Sequence, residues 1–274
     1  MSGRSCMSQM TVRIVIIAVL IVALIATGIV WGVGSRPSPV PQATEADTAE
    51  TQPPVIEKRL VVIDAGHQAK GNYEKEPIGP GSDEMKNKVA AGTQGVSTGL
   101  PEYRLTLMVA EKLQKILTER GYEVVMIRTT HDVNISNAER AEMANELCAD
   151  AFIRIHANGS SSEKANGILT MCQTSDNPYN GELYEESRRL SESVLYETVD
   201  STGAKCLYVM ESDTMSGINW CQVPVTIVEM GFMSNEAEDR NMATDAYQEL
   251  LAQGIANGID DYFERTQEAL DTNA

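Results

Sequence analysis

The chain reads as an α/β fold, a twisted, largely parallel sheet covered by helices on both faces in a single catalytic domain, and three observations predict it. From residue 60 onward, short β-like runs alternate with segments of helical periodicity. Polar residues gather directly after three of the strand runs, where open α/β sheets carry their sites. The first 58 of the 274 residues are unsuited to a core, which leaves one domain of about 200 residues, large enough to fold without disulfide staples.

Taken in order, Leu60-Val61-Val62-Ile63 is the first strand. Tyr103 to Arg120 carries Leu105, Val109, Leu113, Ile116 and Leu117 at helical spacing and stops at Gly121. A strand over Glu123 to Ile127, a helix over Asn137 to Leu147 and a strand over Ala151 to Ile155 follow. Gly167 to Cys172 is extended, Tyr184 to Tyr196 helical, Val223 to Val228 a strand and Asp245 to Phe263 a closing helix. The domain therefore spans 59–265, and 266–274 is expected to be a disordered tail.

The net charge of -17 lies entirely on residues 59–274, because the charges of residues 1–58 balance. So acidic a domain repels phosphate backbones and anionic headgroups, which argues against nucleic acid as a partner and against membrane binding by the domain itself. Ile14 to Gly34 is uncharged and apolar on every face, long enough to span a bilayer as a helix. Arg4 and Arg13 precede it, which keeps the N-terminus cytoplasmic and exports the rest. Residues 1–36 are thus expected to be a cytoplasmic N-terminus and single-pass anchor, the alternative being a cleaved signal peptide that leaves a secreted protein. Residues 37–58 hold five of the ten prolines and read as an extended linker. Among Cys6, Cys148, Cys172, Cys206 and Cys221 no zinc or redox spacing occurs; if two were oxidised, Cys206 and Cys221 are nearest in sequence.

Strand 60–63 runs into Asp64-Ala65-Gly66-His67, strand 151–155 ends at His156, and strand 223–228 ends at Glu229. Two imidazoles and a carboxylate form a recurring catalytic zinc set that leaves a position for water. Candidate carboxylates are Glu74, Glu76, Asp83, Glu84, Glu102 and Glu229. Glu102 follows Pro101 at a helix start, and Glu229 ends an apolar strand, where a carboxylate is costly unless used or paired. Glu229 suits a general base. Read from the residues alone, strand-end histidines are also compatible with ordinary structural hydrogen bonding.

Val61-Val62-Ile63-Asp64-Ala65-Gly66-His67 and Leu100-Pro101-Glu102-Tyr103-Arg104-Leu105 resemble the first two motifs of the zinc-dependent N-acetylmuramoyl-L-alanine amidases. Asn137-Ala138-Glu139-Arg140, Ala149 to Asn158 and Val228 to Asn235 resemble the later ones in the same order, so the resemblance covers 59–263. It implies a single Zn2+ held by His67, Glu102 and His156, with Glu229 as the catalytic glutamate. It also implies a peptidoglycan substrate, cut by a zinc-activated water between N-acetylmuramic acid and the L-alanine of the stem peptide. The rival readings are a zinc carboxypeptidase acting on the stem peptide and a non-catalytic wall-binding module of the same fold.

Two features depart from the family pattern. The connection from His67 to Glu102 is longer than usual, so 68–101 is a lid, a substrate-selecting loop, a segment that a partner protein moves, or a passive surface loop. Arg154 stands where a small polar residue is usual, and either meets a substrate carboxylate or pairs with an acidic neighbour. His131 reads as a surface residue rather than a fourth ligand, while Asn219 and Trp220 line a groove or serve packing.

Overall fold

A computed structural model of the protein describes residues 58–272, so the expected anchor and nearly all of the linker lie outside the described residues. Among the described residues, no helix is long and apolar enough to cross a membrane. The first strand, β1 (Leu60–Ala65), is wholly buried, as an apolar run flanked on both sides must be. The long connection after it is ordered: β2 (Asn72–Pro77) and β3 (Met85–Val89) form an antiparallel hairpin. Helix α1 (Glu102–Glu119) starts at Pro101, whose backbone at φ -68° already suits a helix entry. After β4 (Glu123–Met126), α2 (Asn137–Glu146) opens with a capping box in which Ser136 and Glu139 satisfy each other's backbone N–H groups.

The second half contains β5 (Ala151–Asn158), β6 (Ile168–Cys172), α3 (Tyr184–Thr202), β7 (Cys206–Glu211), the single turn α4 (Ser216–Asn219) and β8 (Val225–Phe232). It closes with α5 (Glu236–Met242), capped by the Asn235 side chain, and α6 (Asp245–Thr272). The tail expected to be disordered from 266 is therefore helical to Thr272. The reason is local: no glycine or proline interrupts 259–272, so the helical repeat carries on past its last buried contacts.

The main sheet has six strands in the order β4-β1-β5-β8-β6-β7. Its ladders β1–β4, β1–β5, β5–β8 and β6–β7 are parallel and β6–β8 is antiparallel. The reversal has a simple cause. Residues 159–167 link β5 to β6 without a helix, and a parallel return needs a crossover of a dozen or more residues.

Alternation along β5 divides the core between the two faces. Ala151, Ile153 and Ile155 pack on the side of α1, α3 and α6, with Leu113, Leu190 and Ile255. Phe152 joins the other side with Val62, Ala141, Ile218 and Ile227. Along that second face β5 continues from Phe152 to Arg154 to His156, so an apolar layer gives way to a cation and then to an imidazole at the carboxyl end of the strand. Cys206 and Cys221 are both free, Cys206 exposed and Cys221 buried. The pairing suggested by their sequence proximity is not formed.

Candidate active site

His67, Glu102 and His156 converge although they come from three different elements. His67 follows β1 with a left-handed backbone, φ 61°, a conformation uncommon for a residue with a Cβ and one that tends to mark functional positions. The turn is followed by a hydrogen bond from His67 Nδ1 to the carbonyl of Ala90, 2.9 Å away. Because a carbonyl only accepts, the proton sits on Nδ1 and Nε2 is left with a free lone pair. His156 projects from β5, and its ring lies so close over Gly66 that a Cβ there would stand 2.4 Å from it. Glu102 heads α1 and is held by two backbone donors, Ala157 N at 3.0 Å on Oε1 and Thr93 N at 2.8 Å on Oε2. Gly92 completes the enclosure: its φ is +82°, and a Cβ would press on both Glu102 and the His67 ring.

The three inward atoms form a tight triangle. His67 Nε2 lies 3.0 Å from Glu102 Oε1, His156 Nδ1 lies 3.1 Å from His67 Nε2, and His156 Nδ1 lies 3.3 Å from Glu102 Oε1. A four-coordinate ion with bonds of about 2.0–2.1 Å spaces its ligand atoms by roughly 3.3 Å, so the donor set fits a small divalent cation. Electrostatics agree. Burial lowers the His156 pKa and favours the neutral imidazole, which is the ligating form. Burial opposes ionisation of Glu102, but the close approach of the His156 and His67 rings outweighs it and holds the carboxyl well below the usual range. The other candidate carboxylates do not join. Glu74 is exposed and paired with Lys88, Asp83 and Glu84 sit in the exposed turn of the hairpin, and Glu76 is buried but accepts from Ser216 Oγ at 3.1 Å.

Glu229 stands beside the triangle, directly across from His156 in the β5–β8 register. Its Oε2 is buried with no hydrogen-bond partner. Burial, and then the charge of Glu102, push its carboxyl up to about 8, which suits a group that must exchange protons near neutral pH. All four residues line one pocket of about 610 Å³.

The hairpin is a wall of that pocket, contributing Lys75, Met85, Lys86 and Asn87, and leaves it open. Asn219 and Trp220 hold the hairpin in place. Asn219 Nδ2 donates to the carbonyl of Ile78 at 3.1 Å and Trp220 Nε1 to that of Pro77 at 2.9 Å, so both serve packing rather than a groove. His131 packs edge-on against Tyr103, with ring centroids 5.2 Å apart, outside the cluster. Arg154 pairs with Asp64 at 3.0 Å and also reaches the pocket. Thr93, Lys75 and Lys86 had no legible signal, since each joins the site through the path of the hairpin rather than through a motif.

The family described as N-acetylmuramoyl-L-alanine amidase matches residues 61–261. The uncharacterized protein YqiI of Bacillus subtilis is 31% identical over 222 residues, covering 81% of this chain and 93% of that protein. The N-acetylmuramoyl-L-alanine amidase AmiA of Salmonella typhimurium is 25% identical over 242 residues, covering 75% and 76%. In fold, the chain is similar to the amidase Ami1 of Mycobacterium smegmatis, with a TM-score of 0.68 at 24% identity over 76% of this chain and 97% of that one.

Proposed function

The chain belongs to the N-acetylmuramoyl-L-alanine amidase family and is a peptidoglycan amidase; from that premise we propose that His67, Glu102 and His156 hold zinc and that Glu229 is its proton-transfer group. Two neutral imidazoles and one carboxylate at tetrahedral spacing suit zinc better than magnesium or calcium, which prefer all-oxygen shells. When bound, zinc supplies a Lewis acid that makes water nucleophilic near neutral pH and polarises the scissile carbonyl.

The chain's own residues do the rest. The carbonyl of Ala90 and the N–H groups of Thr93 and Ala157 fix the imidazole and carboxylate orientations before substrate arrives. Glu229 takes the proton of the attacking water and returns it to the α-nitrogen of L-alanine as the amide breaks, so the muramoyl lactyl group leaves as a free carboxylate and the stem peptide as an amine. The observation that carries this reading is the buried, unpartnered Glu229 Oε2 in the same pocket as the triangle. Glu229→Gln keeps the volume and removes the base, and is expected to lower kcat by about 10²-fold or more with zinc content unchanged. Normal turnover in that variant contradicts the assignment.

The proposal extends to place. The apolar segment 14–34 and the proline-rich 37–58 support a single-pass membrane protein whose domain works outside the cytoplasm. Its test is cell fractionation with protease accessibility: the domain stays with membranes and is cleaved from outside.

A further inference from the structure

Three arginines are buried in the domain, and two of them share one carboxylate. Arg128, Arg140 and Arg154 are each at most 3% exposed, and Asp64, fully buried, pairs with Arg140 and Arg154. Buried cations are tolerated only when every donor is satisfied or an anion is near. Arg128 meets this need with the carbonyls of Ala65, Thr130, Gly66 and Tyr103. Arg140 meets it with Asp64, the carbonyls of Ile135, Ala65 and His67, and Gln68 Oε1. Arg154 differs: its Nε donates to Asp64 at 3.0 Å and its Nη2 to Asn137 at 2.8 Å, while Nη1 has no protein acceptor among the described residues and is not itself buried, which leaves it accessible from the pocket. That third corner lies over Gly217, where a Cβ would stand 1.8 Å from it, and the residue lines the pocket of the His–Glu–His triangle. The guanidinium is thus fixed at two corners and open at the one beside the cavity.

The hairpin adds charge of the same sign. Lys75 and Lys86 line this pocket, and among the described residues neither has an acidic partner within 4.0 Å, in a protein of net charge -17. Their ammonium groups rest on neutral acceptors, Asn87 Oδ1 and the carbonyl of Thr214. Arg154 precedes His156 by two residues on the same face of β5, so its rung lies about 7 Å from that of the metal cluster. A peptide advances about 3.5 Å per residue, which brings a carboxylate on the residue after L-alanine within reach.

We infer that Arg154, Lys75 and Lys86 form an anion subsite that selects stem peptides bearing a free α-carboxylate on their second residue. The inference rests on the amidase reading of the same pocket. Charge-assisted hydrogen bonds of this kind change specificity by about tenfold or more.

The test compares kcat/KM for N-acetylmuramoyl-L-alanyl-γ-D-glutamyl-L-lysine and for the same compound with the α-carboxyl of its second residue amidated, so that the γ-carboxyl is blocked in both. The free acid is expected to be favoured about tenfold or more, and Arg154→Gln to bring the ratio close to one by slowing the acid and sparing the amide. Lys86→Gln, on the hairpin, lowers the ratio a few-fold without touching the core, and decides the matter if Arg154→Gln does not fold. A merely structural arginine would slow both substrates alike. A wild-type ratio near one, or a ratio unchanged in the variants that fold, overturns the subsite while leaving the amidase intact. Cleavage of neither compound by a protein equally inert on peptidoglycan overturns the amidase reading, and the subsite with it.

Discussion

Asp64 belongs to the same sequence stretch as His67 and has a different task. Burial alone would favour its neutral acid, but Arg140 and Arg154 outweigh that cost and hold its carboxyl well below the usual carboxylate range. A carboxyl ionising more readily folded than unfolded contributes stability in full above its unfolded pKa of about 3.9. That contribution is lost as pH falls from there toward the folded value. Asp64→Asn leaves two guanidiniums without their anion and is expected to cost about 3–5 kcal/mol near pH 7. Urea midpoints at pH 7 and pH 3 check both points: the wild type loses stability over this interval, and the variant, weaker at pH 7, loses less. Equal midpoints at pH 7 would remove the network from the account.

At the scale of elements, the hairpin of β2 and β3 turns a sheet edge into a pocket. It is fastened by Asn219, Trp220 and Glu76, which accepts from Ser216 Oγ, so the single turn of α4 and the residue after it act as its clasp. Asn219 is fully buried and donates to both Ile78 and Asp213 carbonyls. Asn219→Ala is expected to cost about 1–3 kcal/mol and to raise KM more than it lowers kcat, because the wall loosens while the metal triangle stays. Thermal unfolding with steady-state kinetics checks it; an unchanged KM would make the hairpin a passive loop.

The same elements show what the sequence could say. Strands β1, β5 and β8 were legible because each is an apolar run buried on both faces, and α1 because its apolar residues keep helical spacing. The hairpin strands were not, since half of Asn72–Pro77 is charged and only Glu76 is buried within it. Strand β7 was missed for a related reason: it is a sheet edge, half exposed, without an apolar run. His67, His156 and Glu229 stood out because they end strands, and Glu102 because it follows Pro101. Spacing alone could not choose between Glu102 and Glu229 as ligand. The fold does separate them, placing Glu102 Oε1 within 3.3 Å of both imidazoles and leaving Glu229 Oε2 without a partner.

Across the whole molecule, the net charge of -17 is not spread evenly. Many surface cations are already paired, among them Lys112 with Asp245, Arg188 with Glu211 and Arg240 with Glu236. At the pocket two lysines without an acidic partner among the described residues, Lys75 and Lys86, stand with Arg154. An acidic exterior repels an anionic wall at distances up to about a Debye length, near 8 Å at physiological salt, while the pocket attracts acidic groups at contact. A tether in the linker 37–58 would supply the local concentration that long-range attraction does not.

The central claim is that zinc held by His67, Glu102 and His156 serves hydrolysis of the muramoyl–L-alanine amide. The most direct measurement is digestion of purified peptidoglycan by the protein, with and without a chelator, followed by mass analysis of the products. The expected result is glycan with free lactyl carboxylates plus intact stem peptides beginning at L-alanine, abolished by chelation and restored by added zinc. Undiminished cleavage after metal removal, or release of a single amino acid from the stem peptide, would contradict it.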